Sequence, residues 1–198
     1  MNELQNYKLF SSENPLFSFT FLYPGDWQLR EIENEVFILG PRNKENTYSL
    51  AVTVRVSPVK EPDGQYVSVE ERLAAYLSYS RHSSSFKEIS RSKGYLSDTE
   101  AIEIETKHTM PLPLNTVAAK VTPILERRIF LLKDSYFYEL IFRGVQEDYY
   151  HHLNVFKNIV RTFDLGDEPS QQIYQPLVMA EPAHMLRESS PKYDETKP

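Results

Sequence analysis

The sequence predicts an α+β domain, an antiparallel β-sheet flanked by helices, and three observations lead there. Long stretches alternate apolar and polar residues with period two, while only two stretches carry the helical period. The strand-like stretches follow one another directly instead of each being separated by a helix, which favours layered antiparallel sheet over a parallel doubly wound fold. The 198 residues, 40% hydrophobic and 13% aromatic, suit one medium domain that buries roughly 70% of the surface its unfolded chain exposes.

The elements follow in order. Phe17, Phe19, Phe21 and Tyr23 share one face of a first strand. A tight corner then joins it to a second: Pro24 fixes one dihedral, Gly25 tolerates positive φ, and Trp27, the only tryptophan, restarts an extended segment and covers the end of the core. Glu31, Glu33 and Glu35 flank Asn34 in a turn. Leu50, Val52, Val54 and Val56 form one face of a long strand, opposite Ser49, Ala51, Thr53 and Arg55. In SVEERLAAYLSYS, Ser68 stands three residues before Glu71, the spacing of a capping box, and Val69, Leu73, Tyr76, Leu77 and Ser80 recur at helical intervals. Ile102, Ile104, Thr106 and His108 then alternate with Glu103, Glu105 and Lys107, and RRIFLLKDSYFYELIF reads as a hairpin turning at Lys133, Asp134 and Ser135. The last element, EDYYHHLNVFKNIVRTF, places Tyr149, Leu153, Phe156, Val160 and Phe163 on one stripe. Its acids Glu147 and Asp148 come first and its bases Lys157 and Arg161 last, the order that complements a helix dipole.

The corner carries a resemblance. An apolar strand ending in Tyr23-Pro24, a turn at Gly25-Asp26, and Trp27 (P-x-x-W, Pro24 to Trp27) resemble the opening of the PsbP family, named for the extrinsic subunit of the oxygen-evolving photosystem. The resemblance extends to element order through about Leu165. It implies a PsbP-like α/β/α sandwich used for docking or assembly and not for catalysis; relatives include photosystem subunits, bacterial secreted proteins and a nuclear-transport factor that binds a small GTPase. No family metal-binding or photosystem-binding residue carries over, because no position outside the corner matches residue by residue, and fold alone does not transfer function.

Composition narrows the chemistry. There is no cysteine, which removes disulfides, thiolate metal sites and cysteine nucleophiles. A formal charge of −6 argues against general affinity for nucleic acid, which needs clustered Lys and Arg in excess; Arg81, His82, Lys87, Arg91 and Lys93 are expected to be ordinary solvated surface. No stretch approaches the roughly 18 apolar residues of a membrane span, and the N-terminus has no apolar run long enough for a signal peptide. The chain is therefore expected to be cytoplasmic if it is complete and extracytoplasmic if a targeting segment has been removed.

Motifs are mostly absent. The six glycines, at 25, 40, 64, 94, 144 and 166, form neither G-x-G nor a P-loop, and neither G-x-S-x-G nor H-E-x-x-H occurs. Glu31, Glu33 and Glu35, like Glu103 and Glu105, read as solvated faces. His151 and His152 diverge by about 100° on a helix and make a poor chelate. Asp148 and His152, at i and i+4, read as a surface ion pair. His108 is expected to rim the core, and a metal site of His108, His152 and a carboxylate is the weaker alternative. No catalytic, cofactor-binding or metal-ligating residue is expected, and no cofactor.

Two segments lack a place in the core. Met110 to Pro123, MPLPLNTVAAKVTP, reads as a loop stiffened by Pro111, Pro113 and Pro123 that presents Leu112, Leu114 and Val117. Residues 166–198 form a Pro- and polar-rich tail. Ordering it would cost on the order of 30 to 60 kcal/mol in backbone entropy, against at most roughly 2 to 3 kcal/mol for each of Ile173, Tyr174, Leu177, Val178, Met179, Met185 and Leu186 buried. The expected organisation is a folded unit over 1–165 followed by this disordered tail, with IYQPLVM able to dock locally. The expected function is a non-enzymatic protein-binding or complex-assembly module with a protein partner on the Met110–Pro123 loop or the tail. The alternative is a small-ligand or metal-binding protein, or an enzyme, using a pocket between sheet and helix; a deep polar pocket containing His108 would favour it.

Overall fold

The computed structural model describes residues 4, 6–12, 14, 18–42, 47–59, 67–112 and 119–166. Phe17, residues 113–118 and residues 167–198 lie outside them.

Seven strands form the main antiparallel sheet, ordered β3(Gln28–Ile32), β4(Glu35–Leu39), β5(Leu50–Pro58), β9(Tyr136–Val145), β8(Lys120–Lys133), β7(Thr99–Leu112) and β6(Lys87–Leu96). A separate ribbon pairs β1(Tyr7–Ser11) with β2(Thr20–Pro24). Helix α1(Val69–Ser80) lies on one face of the sheet. Helix α2(Gln146–Thr162) and the ribbon lie on the other. This is the α+β fold that the periodicities predict, in the sandwich arrangement that the resemblance implies. Among the described residues no helix is long and apolar enough to cross a membrane.

Period-two alternation assigns the faces. Leu50, Val52, Val54 and Val56 of β5, Leu140 and Phe142 of β9, and Leu125, Ile129 and Leu131 of β8 are all buried in the larger core with Tyr149, Phe156, Ile159 and Val160 of α2. Phe142 stacks on Tyr149 and Phe156 at centroid distances of 4.7 and 5.1 Å. The opposite face packs a smaller cluster, Leu73 and Leu77 of α1 against Ile102, Ile104 and Phe130. Two hairpin turns, Ser97-Asp98 and Asp134-Ser135, hold both central residues at positive φ, the geometry that matches strand twist in two-residue loops.

The tight corner joins two strands as expected, and these belong to different sheets: β2 to the ribbon and β3 to the main sheet, so Pro24 to Trp27 is where the chain crosses between layers. Other expectations need correction. Gly25 is not at positive φ. It is required by close approach, since its N–H donates to Asn6 O at 2.7 Å and a Cβ would stand 2.8 Å from that same oxygen. Trp27 is 6% exposed and covers the core end as expected, edge-on to His152.

Both described ends of the Met110–Pro123 segment, Met110–Leu112 and Lys120–Pro123, are strand and not loop. β7 runs to Leu112 and β8 starts at Lys120, with Thr109 opposite Pro123 and Leu112 opposite Lys120. β6 pairs with β7 only as far as Lys107, and β9 with β8 only as far as Ile124. Pro111 and Pro123 therefore sit where each strand has a single neighbour, the sheet position in which a missing N–H is tolerated. β6 itself is an edge strand with a bulge at Ile89 between Glu88 and Ser90. Two of the basic residues on or facing it are paired, Arg91 with Glu88 at 2.9 Å and Lys93 with Glu70 at 2.7 Å.

Candidate functional site

Between α1 and the sheet lies a cleft of about 750 Å³. Its floor is set by register. Glu126 on β8 stands opposite Thr106 on β7 and Arg143 on β9, and Arg128 stands opposite Ile104 and Ile141. Glu139 on β9 stands opposite Arg55 on β5. All these residues share the α1 face, because the period of two that buries valines and leucines on one side turns these charges to the other. One wall comes from α1 and the segment after it, with Arg72, Tyr76, Tyr79, His82 and Phe86.

Buried charges organise the floor. Glu126 and Glu139 are each 1% exposed and Arg128 7%. Arg128 bridges the two acids, donating from Nε and Nη2 to Glu126 Oε1 at 3.0 and 2.8 Å and from Nη1 to Glu139 Oε2 at 2.7 Å. Arg72 reaches down from α1 and donates to Glu139 Oε1 at 2.6 Å from Nη2 and 2.8 Å from Nε. Arg143 donates from Nε to Glu126 Oε2 at 2.5 Å. Tyr76 donates to Glu126 Oε1 at 2.9 Å, and the Arg128 guanidinium lies 4.2 Å from the centre of its ring.

The electrostatics follow from these contacts. Burial works to raise the Glu126 pKa, but Arg128 and Arg143 outweigh it and hold the carboxyl below the usual range. Burial, aided by the Glu126 charge, pushes Tyr76 up to about 12, so its hydroxyl remains a donor. Burial lowers His108, the Glu126 charge opposes that, and the Arg143 charge adds to it. His108 is therefore a neutral ring at pH 7. Its NMR titration midpoint is expected below the ordinary 6.5 and should move up in Arg143→Gln, which removes a neighbouring positive charge. A midpoint that stays put in that variant would show that Arg143 does not act on the ring.

The sequence candidates are distributed otherwise than expected. His108 lines the cleft, whereas His152 is on α2 across the sheet, against Trp27 with ring centroids 5.8 Å apart. The weighed site of His108, His152 and a carboxylate is not assembled. Among the described residues no group of three or more His, Asp or Glu is arranged to hold a metal. Asp148 and His152 form no side-chain ion pair: His152 Nδ1 meets the Asp148 carbonyl at 3.0 Å, and the Asp148 carboxylate accepts from Ser49 Oγ. Glu103 and Glu105 are not a solvated face. Arg127 bridges them at 3.3 and 3.0 Å, and Tyr149 donates to Glu105 at 2.9 Å. No motif singles out Glu126, Arg128 and Glu139, the buried charges of the cleft. Their signal was available: charges within runs whose neighbours on both faces are apolar, Ile124-Leu125 and Ile129-Phe130 around the first two.

The chain matches no protein-family model and no curated protein. Solved structures match it at low identity. Protein PA94 of unknown function from Pseudomonas aeruginosa is 13% identical, with a TM-score of 0.53 over 83% of this chain and 99% of that one. Cyanobacterial PsbP from Synechocystis is 10% identical, with a TM-score of 0.50 over 84% and 97%. The Ran-binding protein Mog1p of Saccharomyces cerevisiae is 8% identical, with a TM-score of 0.51 over 81% and 95%. At such identities the likeness is one of fold. The seven-stranded antiparallel sheet between α1 on one face and α2 with its ribbon on the other is the fold of PsbP and Mog1.

Proposed function

We propose that the chain is a non-enzymatic protein-binding or complex-assembly module whose partner docks on the β7–β8 arm. The observation that carries this is the arm itself: His108–Leu112 and Lys120–Pro123 run on as two paired strands past the ends of β6 and β9, and Val121 there is 74% exposed. An extended, proline-stiffened ribbon loses little entropy when it is covered, and an apolar side chain on it supplies an anchor. The Ran-binding activity of the yeast structure of this fold lends support as analogy. The ionised, arginine-held state of Glu126 also suits a binding role, since it is no ready proton donor.

Replacing Pro111 to Val121 by an Asn-Gly turn is expected to leave cooperative unfolding in place and to abolish recovery of partners by affinity capture from the native organism. Undiminished recovery would exclude the arm and direct attention to the tail, where alanine at Ile173, Tyr174, Leu177 and Val178 is the corresponding change. The division into a folded unit through Leu165 and a separate tail is part of the same proposal. A second reading, a small-ligand carrier, is favoured by one observation, the polar cleft that contains His108.

A further inference from the structure

The cleft between α1 and the sheet is rich in donors and has few acceptors to offer. Both of its carboxylates are engaged on both oxygens: Glu126 by Arg128, Tyr76 and Arg143, and Glu139 by Arg72 and Arg128. Arg55, at the edge, is paired with Glu35 at 2.5 Å. Among the described residues, the guanidinium groups of Arg72, Arg128 and Arg143 meet these two carboxylates. The most accessible of the three is Arg143, whose side chain is 47% exposed although its partner Glu126 is buried. The same cleft is lined by aromatic rings, Tyr79 84% exposed and Phe86 half-buried. A purely structural network would be complete without an open arginine on one side and an uncovered tyrosine on the other.

Resting on the small-ligand reading, we propose that this cleft binds a small organic oxyanion, a carboxylate or phosphate monoester carried on an aromatic ring, with the oxyanion on Arg143 and the ring against Tyr79 and Phe86. A guanidinium fork suits both anions, because its parallel N–H groups match two oxygens at once. His108, whose basicity burial depresses, lines the same cleft, and its neutral ring is able to donate a hydrogen bond to the bound anion.

The test titrates the full chain with benzoate, phenyl phosphate, benzamide and benzylamine, following amide and imidazole resonances by NMR. Benzoate or phenyl phosphate, or both, should shift His108 and the residues from Tyr79 to Phe86, and the preference between the two identifies the anion. Arg143→Gln should weaken binding about ten-fold or more. Tyr79→Ala should weaken it about three-fold while melting like the wild type, which keeps the test decisive if Arg143→Gln does not fold. Equal or tighter binding of benzamide or benzylamine at the same resonances overturns the anion assignment and leaves the ligand reading standing. Absence of any shift in the cleft with all four compounds at millimolar concentration overturns both.

Discussion

Arg128→Met is expected to destabilise the domain by about 3–5 kcal/mol at pH 7, the usual cost of removing one partner from a buried ion pair. The two side chains are similar in volume, so the cavity left is small and most of the loss is electrostatic. Without Arg128, Glu126 keeps Arg143 and Tyr76, and Glu139 keeps Arg72. Two carboxylates that are each 1% exposed then lose the cation that lay between them. Urea unfolding followed by the fluorescence of Trp27, the only tryptophan and itself buried, measures the change.

The pH dependence separates this explanation from a packing defect. In the wild type the Glu126 carboxyl is held below 4.5, so its contribution is complete above the unfolded value and is lost as pH falls through the folded one. In Arg128→Met the folded value is expected to rise, because Arg143 and Tyr76 alone then oppose burial. The penalty of the substitution is accordingly full at pH 7 and shrinks as pH falls through that raised value. A pH-independent penalty would show that the defect is one of packing. The triple change Arg128→Met with Glu126→Leu and Glu139→Leu should cost less than Arg128→Met alone, since Arg72 and Arg143 are partly exposed and can turn to water once the acids are gone.

What was legible in the sequence follows the same physics. Strands with one buried face announced themselves by alternation, as in Leu50 to Val56, and α1 by its cap: Ser68 Oγ accepts from Glu71 N at 3.2 Å, while the Glu71 carboxylate reaches back to Val67 N at 2.7 Å. β6 gave no such signal. KEISRSKGYL is an edge strand with charges on both faces, so tertiary pairing and not pattern makes it a strand. The prolines of the β7–β8 arm pointed to a loop, because their tolerance depends on which neighbour each strand lacks, and that is a property of the assembled sheet. The cleft was invisible for a related reason. Glu126, Arg128, Glu139 and Arg72 come from three elements, and only the register brings them together.

Leu73→Asp tests the phase of α1, and with it the roof of the cleft. Leu73 is 3% exposed and packs with Leu77 on Ile102, Ile104 and Phe130. Deleting a buried leucine side chain costs about 2–5 kcal/mol in lost burial and cavity, and an unpaired carboxylate in its place adds a desolvation penalty. A total of about 4 kcal/mol or more corresponds to a fall in melting temperature of roughly 8–16 °C for a domain of this size. Tyr79→Asp is the control on the same helix: the introduced residue has the same low helix propensity, but the site is 84% exposed, so the change should remain within about 1 kcal/mol. Because Arg72 hangs from α1 onto Glu139, loosening the helix also releases a cation from the buried network, and the Leu73→Asp variant should lose anion binding in the cleft together with stability. Leu73→Asp melting like Tyr79→Asp would mean that α1 presents another face to the sheet and that the cleft has a different roof.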